Sequence, residues 1–146
     1  MEINVKTFDQ LTNRELYEIL KLRSEVFVVE QDCVYQDIDG KDDKALHVIG
    51  TKEGEIVAYT RCFKPGYYFK EASIGRVVVE KSQRKYKFGN DIMIASIEAI
   101  KNHYTTKLIK ISAQCYLDKF YTNLGFNAIG KEYLEDGIPH IAMVKE

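Results

Sequence analysis

The stretch from residue 74 to residue 104 constrains the fold most, because its apolar pattern changes from that of a strand to that of a helix. Residues 74–80 include three consecutive valines at 77–79, a β-branched run typical of an interior strand that is buried on both faces. Residues 88–103 repeat their apolar side chains with a helical period. A polar, basic loop at 81–87 joins the two elements. The sequence therefore predicts a strand that leads through a basic loop into the N-terminus of a helix.

This loop has the properties of an anion-binding site. The first N–H groups of a helix have no partner inside the helix, and the macrodipole places partial positive charge there. A phosphate or pyrophosphate can bind these donors, with Arg84, Lys85 and Lys87 adding positive charge around it. Gly89 would let the backbone approach such a ligand closely. A solvated basic turn between two core elements explains the same residues equally well.

The composition indicates one globular domain. The chain has 146 residues and a formal net charge of −1, so residues 1–146 are predicted to form a single domain around one core. A balanced charge gives no general attraction to nucleic acid or to an anionic membrane, and we expect neither partner. There is no bilayer-length apolar run, no signal peptide and no CxxC pair among the three cysteines, which are most simply reduced thiols. We therefore expect a cytoplasmic protein.

The order of apolar patterns predicts an α/β fold with a central mixed sheet flanked by helices. Thr12 and Glu15 form the pattern of a capping box, which starts the first helix. Hairpins predict antiparallel pairs, whereas the helix at 88–103 would cross over between two parallel strands. The predicted strands cover residues 2–8, 45–51, 55–63, 74–80, 107–113, 126–134 and 140–144, and the predicted helices cover 13–28, 88–103 and 114–124.

The segment at residues 30–43 is acidic and irregular. Its carboxylates resemble calcium ligands, but the bidentate glutamate that ends an EF-hand loop is missing, so we expect no metal. A solvated acidic loop is the simplest interpretation. Arg61 and Arg76 fall on adjacent predicted strands, however, and we also hypothesise a buried charge cluster that fixes this segment over the acceptor side.

Two short segments resemble a known enzyme family. Arg84 and Gly89 match the first and last positions of the acyl-CoA loop of the GNAT superfamily of N-acetyltransferases, Gln/Arg-x-x-Gly-x-Gly/Ala, and Lys87 stands at the first glycine. Phe120–Phe126 is similar to the LYxxxGF segment of these enzymes, in which the tyrosine, here Tyr121, protonates the departing thiolate of coenzyme A. A core aromatic residue on a helix is the other interpretation of this tyrosine.

A longer set of residues, in the same order along the chain, resembles the ElaA branch of the same superfamily. It covers nearly the whole chain and identifies a family without identifying a substrate. The matching positions are residues 22–31, Tyr35, 37–42, His47, Arg61, 75–77, 112–114 and 135–140.

The resemblance implies a GNAT-like acyl-CoA N-acyltransferase fold, with acetyl-CoA as co-substrate between diverging strands at 74–80 and 108–113. It also implies that an acceptor amine attacks the thioester directly in a ternary complex, with a backbone N–H of the first strand stabilising the oxyanion. The residues expected to contact the co-substrate are Val77, Val78, Val79, Arg84, Lys85, Tyr86, Lys87, Phe88, Gly89, Asn90, Gln114 and Tyr116.

The acceptor must lose a proton to a base, because an amine is protonated near neutral pH. Candidate bases are Glu30, His47, Glu135 and His140, although each histidine is also explained as a hydrogen-bonded structural residue. Acidic residues at 30–43 and 132–136 indicate a cationic amine as acceptor, either a small polyamine-like molecule or a peptide terminus, although solvated acidic loops would have the same sequence. The oligomeric state is left open, with a homodimer as one alternative. The residues expected on the substrate side are Arg61, Arg76, Glu135 and Asp136.

Two other functions compete with acetyl transfer. A binding or regulatory module on the same fold would explain Lys87 in place of the loop glycine. A relative of the acyl-homoserine-lactone synthases is suggested by the Arg-x-x-Val-Phe pattern at residues 23–27, followed by Asp37 and Asp39. The short chain and Tyr121 favour the acetyltransferase.

Overall fold

A seven-stranded mixed sheet with the strand order β1-β2-β3-β4-β5-β7-β6 forms the centre of the computed structural model, which describes all residues 1–146. The strands and helices follow one another as β1 (Glu2–Thr7), α1 (Asn13–Arg23), β2 (Leu46–Lys52), β3 (Glu55–Phe63), β4 (Ala72–Val79), α2 (Phe88–Tyr104), β5 (Ile109–Gln114), α3 (Asp118–Asn123), β6 (Asn127–Glu135) and β7 (Ile138–Lys145). The predicted mixed sheet flanked by helices is confirmed. No helix is long and apolar enough to cross a membrane.

The single parallel pair, β4 with β5, opens into a cleft. Only Ala72 with Ile109 and Ser73 with Lys110 are in register, and all other neighbouring strands are antiparallel. Beyond Ser73 the two strands have no further paired residues. The edge of β4 that faces β5 is therefore free of a strand partner beyond Ser73. The parallel pair that the crossover through α2 predicted is confirmed.

Each face of the sheet has its own core. The larger one packs under α2 and includes Ile92, Met93 and Ile100, and the smaller one lies under α1 around Ile19 and Leu22. The first helix begins with the predicted capping box and continues beyond its α-helical part as a π-helical segment over Ser24–Glu30. Such segments are rare and are frequent at functional sites. The helix thus runs two residues further than the sequence predicted.

A β-bulge interrupts β4. Tyr59 pairs with Val78 and Arg61 pairs with Gly75, so two residues of β4 lie opposite one residue of β3. Arg76 lies in this bulge with φ of +49°, a left-handed conformation that is strained for an arginine. The bulge changes which valines are buried.

Of the three consecutive valines, only Val78 is buried, against the α1 face. Val77 and Val79 are half-buried and line the cleft. The prediction that all three are buried on both faces was wrong, because β4 borders an open cleft where β5 diverges from it.

The acidic segment is tied to the sheet by ion pairs. Arg23 contacts Asp42 at 2.8 Å and Asp37 at 3.0 Å. Arg61 contacts Asp39 at 2.8 Å and Asp42 at 3.0 Å. The solvated-loop interpretation was therefore wrong, and the hypothesised charge cluster is confirmed.

Arg76 completes this cluster through Asp37 at 2.7 Å and Asp39 at 3.4 Å. Its backbone conformation is thus held by two aspartates of the acidic segment. The charge cluster, defined as the three arginines and three aspartates, links α1, β3 and the β4 bulge. Its members are Arg23, Asp37, Asp39, Asp42, Arg61 and Arg76.

Candidate active site

A cavity of about 920 Å³ occupies the cleft between β4 and β5. Its wall also includes the end of the first helix, the β3–β4 turn, the loop before α2, α3 and the β6–β7 turn. Most of the predicted site residues line it, namely Glu30, Arg61, Arg76, Val77, Val78, Val79, Arg84, Lys87, Gly89, Asn90, Gln114, Tyr116, Tyr121, Glu135, Asp136 and His140. Four predicted residues do not, namely His47, Lys85, Tyr86 and Phe88.

Lys87 adopts the backbone conformation that glycine favours. It has φ of +60° and ψ of +29°, and it directly precedes the first residue of α2. The loop therefore makes the same left-handed turn with a lysine where the acyl-CoA loop pattern has a glycine. No side chain caps this end of α2, so its first N–H groups have no side-chain partner and carry the positive end of the helix dipole.

Lys85, Tyr86 and Phe88 are not part of the cavity wall. Tyr86 stacks on Phe88 at 5.4 Å between ring centroids, and Phe88 is buried in the core under α2. The Nζ atom of Lys52 lies 3.8 Å from the Tyr86 ring centroid. The side chain of Phe88 is therefore taken up by the core, while Lys85 and Tyr86 are exposed, and contact of these three residues with the co-substrate stays a prediction.

Arg84 and Glu30 were predicted for different tasks but bind each other. The guanidinium group contacts the two carboxylate oxygens at 2.6 and 2.9 Å and also donates to the Val79 carbonyl oxygen at 3.2 Å. The hydrogen bond from Arg84 lowers the pKa of Glu30. Glu30 is therefore a weak base, and its place is that of an ion-pair partner for the loop.

Tyr121 lies on α3 with its ring packed between Phe120 and Phe126, at centroid distances of 5.0 and 6.1 Å. It is buried yet lines the cavity. Burial raises its pKa, so the hydroxyl keeps its proton at neutral pH. A protonated hydroxyl held rigidly at a cavity wall can act as a general acid.

His47 is a structural residue. It is fully buried, with Nδ1 2.6 Å from the Tyr59 hydroxyl and Nε2 2.9 Å from the Asp42 carbonyl oxygen. Burial lowers its pKa and keeps the ring neutral. The candidate role of His47 as a base is corrected, because both nitrogens are occupied and the ring lies outside the cavity wall.

His140, by contrast, is at the cavity wall with one nitrogen available. Its Nδ1 donates to the Ile138 carbonyl oxygen at 2.7 Å, and its Nε2 lies 3.3 Å from Oε2 of Glu135. The ring also stacks on Tyr133, directly across the β6–β7 pair. His140 and Glu135 are the two candidate bases that the structure brings together.

Sequence reasoning gave no role to several neighbours of this pair. Ser112 donates to Oε1 of Glu135 at 3.2 Å and bonds the Tyr133 hydroxyl. Tyr68, in the β3–β4 turn, has its pKa raised by burial and by the charge of Glu135. The aromatic run at residues 67–69 was a visible signal for this turn, since three rings in an exposed turn need packing partners. Phe63, Tyr68 and Phe69 contribute three of the aromatic rings of the wall.

Groups of opposite charge line the cavity. The α2 N-terminus and Lys87 are positive, while Asp136 and Glu135 are carboxylates without an arginine or lysine partner. Arg61 and Arg76, predicted on the substrate side, also line the wall, but their guanidinium groups are bound by aspartates of the charge cluster. The wall thus includes groups that suit an anion and groups that suit a cation.

The family model "Acetyltransferase (GNAT) domain" matches residues 7–146. The chain belongs to this family. It is 42% identical to Protein ElaA of Escherichia coli K12 over 139 residues, covering 94% of this chain and 91% of that protein. Membership of the GNAT superfamily, in its ElaA-like branch, is confirmed.

Solved GNAT structures share the whole architecture. An acyl-CoA N-acyltransferase from Pseudomonas aeruginosa superimposes with a TM-score of 0.93 at 36% identity, and E. coli ElaA with 0.91 at 38%, each match covering all of both chains. The AHL synthase LasI matches with a TM-score of 0.75 over 98% of this chain and 88% of that chain, at 14% identity. That last match reflects a shared fold alone.

Proposed function

We propose that this protein transfers an acetyl group from acetyl-CoA to a primary amine. One observation carries the proposal: the wall of a single cavity includes the uncapped N-terminus of α2, the buried Tyr121 and His140, whose Nε2 lies 3.3 Å from Oε2 of Glu135. These are the parts that acyl transfer from a phosphorylated thioester to an amine needs.

The donor end is suited to acetyl-CoA. The first N–H groups of α2 and the side chain of Lys87 would bind the pyrophosphate, and Arg84 borders the same end. The unpaired edge of β4 beyond Ser73 offers backbone groups to the amide-containing pantetheine arm, beside Val77 and Val79. We expect a ligand placed in this way to bring its thioester toward Tyr121, which lines the same cavity.

The chemistry is direct attack of the amine on the thioester carbonyl. His140 Nε2 takes a proton from the bound ammonium, and the nitrogen lone pair then forms the C–N bond. A backbone N–H at the β4 bulge donates to the oxyanion. As the C–S bond breaks, Tyr121 gives its proton to the thiolate, and the second proton released by the acylated nitrogen restores the Tyr121 hydroxyl.

The first test is thermal unfolding with and without acetyl-CoA and CoA. A ligand at 100 times its dissociation constant adds about 2.7 kcal/mol to the stability of the native state. For a domain of this size we expect the melting temperature to rise by about 5 °C or more. No rise with either ligand would favour the non-catalytic module instead.

A panel of primary amines then tests the transfer itself. The expected result is release of CoA and formation of an N-acetylated product with at least one amine, lost in Tyr121→Phe. Binding of acetyl-CoA without any transfer would contradict the proposal.

A further inference from the structure

Glu135 and His140 lie side by side at the cavity wall, with Nε2 of His140 3.3 Å from Oε2 of Glu135. Because the Ile138 oxygen is a carbonyl, Nδ1 of His140 must be the donor at 2.7 Å. In the neutral ring Nε2 is therefore an acceptor, and it faces another acceptor, Oε2 of Glu135, at 3.3 Å. An ammonium group has three N–H donors and can bond both atoms at once.

Resting on the proposed function, we propose that Glu135 and His140 hold the ammonium group of the acceptor, and that the acceptor is a primary amine without a carboxylate next to its nitrogen. Glu135 binds the charge, and His140 both binds and deprotonates the same nitrogen.

The groups around this pair disfavour an acceptor that carries a negative charge. The polar and charged groups that face it come from β5, β6, the β6–β7 turn and the β3–β4 turn. They are Ser112, Tyr133, Asp136 and Tyr68. All of them are neutral or acidic, so a carboxylate on the acceptor would meet two carboxylates of the protein.

The cationic side chains near the Glu135–His140 pair already have partners or lie outside the cavity wall. Arg61 and Arg76 are bound by Asp37, Asp39 and Asp42 of the charge cluster. Lys110 lies outside the cavity wall, with its Nζ 4.9 Å from the centroid of the Phe69 ring. The carboxylate of an α-amino acid would thus have no unpaired cation to bind at this site. We therefore expect the site to bind primary amines that lack this carboxylate in preference to amino acids.

The rest of the acceptor would lie against aromatic rings. Phe63 and Tyr68 are stacked at 5.6 Å, and Phe69 meets Tyr68 edge-on at 4.9 Å. These rings present apolar surface and attract the positive end of an amine through their faces. Phenethylamine is therefore a suitable probe, and L-phenylalanine and L-phenylalaninamide are its matched partners.

The three probes separate charge from shape. Phenylalanine adds a carboxylate to phenethylamine, and phenylalaninamide adds a neutral group of nearly the same size. We expect kcat/KM for acetyl transfer to phenethylamine and to the amide to exceed that for phenylalanine at least tenfold. Calorimetric titration of the protein–CoA complex with the same probes should give the same order of affinity.

Substitution of the carboxylate tests the assignment. Glu135→Gln should raise KM for phenethylamine at least fivefold and reduce the discrimination against phenylalanine. Glu132→Gln is the matched control, because it removes the same charge from the same strand at an exposed position outside the cavity wall. It should change neither value more than twofold.

The outcomes distinguish the two proposals. Binding of phenethylamine and the amide in preference to phenylalanine, without transfer to any amine, would keep this site and overturn the acetyltransferase. Equal binding or equal transfer for phenylalanine and its amide, or an unchanged KM in Glu135→Gln, would overturn the site.

Discussion

Arg84 and Glu30 form a two-point ion pair, 54 residues apart in the sequence, that closes the basic loop onto the end of the first helix. The pair is partly exposed, and pairs of this kind contribute about 1 kcal/mol or less to stability. Its main effect is positional, because it holds the loop that precedes α2 against the end of the first helix. Two residues that sequence reasoning assigned separately are thus one structural unit.

Glu30→Gln should leave the chemical step intact. The carboxylate already has a lowered pKa and a partner, so it does not take the proton of the acceptor. We expect kcat to change less than about threefold, whereas loss of a true general base costs about 10²–10⁴-fold. Steady-state kinetics with a reactive amine measures this, with exposed Glu25→Gln on the same helix as control. A fall of a hundredfold in Glu30→Gln alone would restore Glu30 as the base.

Replacement of Lys87 by glycine should preserve the fold and the binding of acetyl-CoA, whereas replacement by valine should impair both. Its φ of +60° costs a non-glycine residue about 1–2 kcal/mol, and a β-branched side chain more. Lys87→Gly should therefore stay folded and bind acetyl-CoA within about tenfold of the wild type, since it loses one charge but keeps the turn. Lys87→Val should lose about 1–2 kcal/mol of stability and bind much more weakly. Urea unfolding and thermal shift with acetyl-CoA measure both effects, and equal binding by the two variants would contradict the role of the turn.

Tyr121→Phe separates proton donation from packing. Phenylalanine keeps the ring contacts with Phe120 and Phe126, so stability should change by less than about 1 kcal/mol. Loss of the acid should lower kcat by about 10²-fold or more, with unchanged affinity for acetyl-CoA. Tyr17→Phe, at an exposed position on α1, serves as control. An unchanged kcat would leave Tyr121 as a core aromatic residue.

Local patterns predicted the fold well because each element had a clear period or cap. The Thr12–Glu15 capping box, the hairpins and the helical stripe of α2 all appear where expected. The β4 bulge at Arg76 could not be predicted, because nothing in a run of valines shows where two residues oppose one. The π-helical end of the first helix was hidden for the same reason, since an extra residue in a turn leaves the apolar pattern nearly unchanged.

The parts of the candidate site that lie in a short sequence motif could be predicted. The parts that depend on which side chains meet in the folded structure could not. The loop before α2 and Tyr121 were found from short segments. The sequence could not show which of His47 and His140 is available as a base. In the structure, His47 is hydrogen-bonded at both ring nitrogens, whereas His140 is hydrogen-bonded at Nδ1. Ser112 and Tyr133 were missed because they join Glu135 only through strand register.

The charge cluster predicts a specific dependence of stability on pH. Asp42 accepts hydrogen bonds from Arg23 at 2.8 Å and Arg61 at 3.0 Å. Burial opposes ionisation of its carboxyl group, but the two arginines outweigh burial and lower its pKa. A carboxyl group whose pKa is lower in the folded state stabilises the fold fully above the unfolded value of about 3.9, and this contribution is lost as pH falls further. Acid should therefore weaken the fold through this group below about pH 4.

Asp42→Asn should remove both the contribution and its pH dependence. It leaves two buried guanidinium groups short of a carboxylate, which costs about 3–5 kcal/mol. The difference from the wild type in urea unfolding should be constant from pH 7 to pH 5 and should shrink at pH 3.5. Asp43→Asn, its exposed neighbour, should change stability by less than about 0.5 kcal/mol at every pH. An equal loss in both variants, or a loss in Asp42→Asn that is the same at pH 3.5 as at pH 7, would show that Asp42 is not stabilised as an ion.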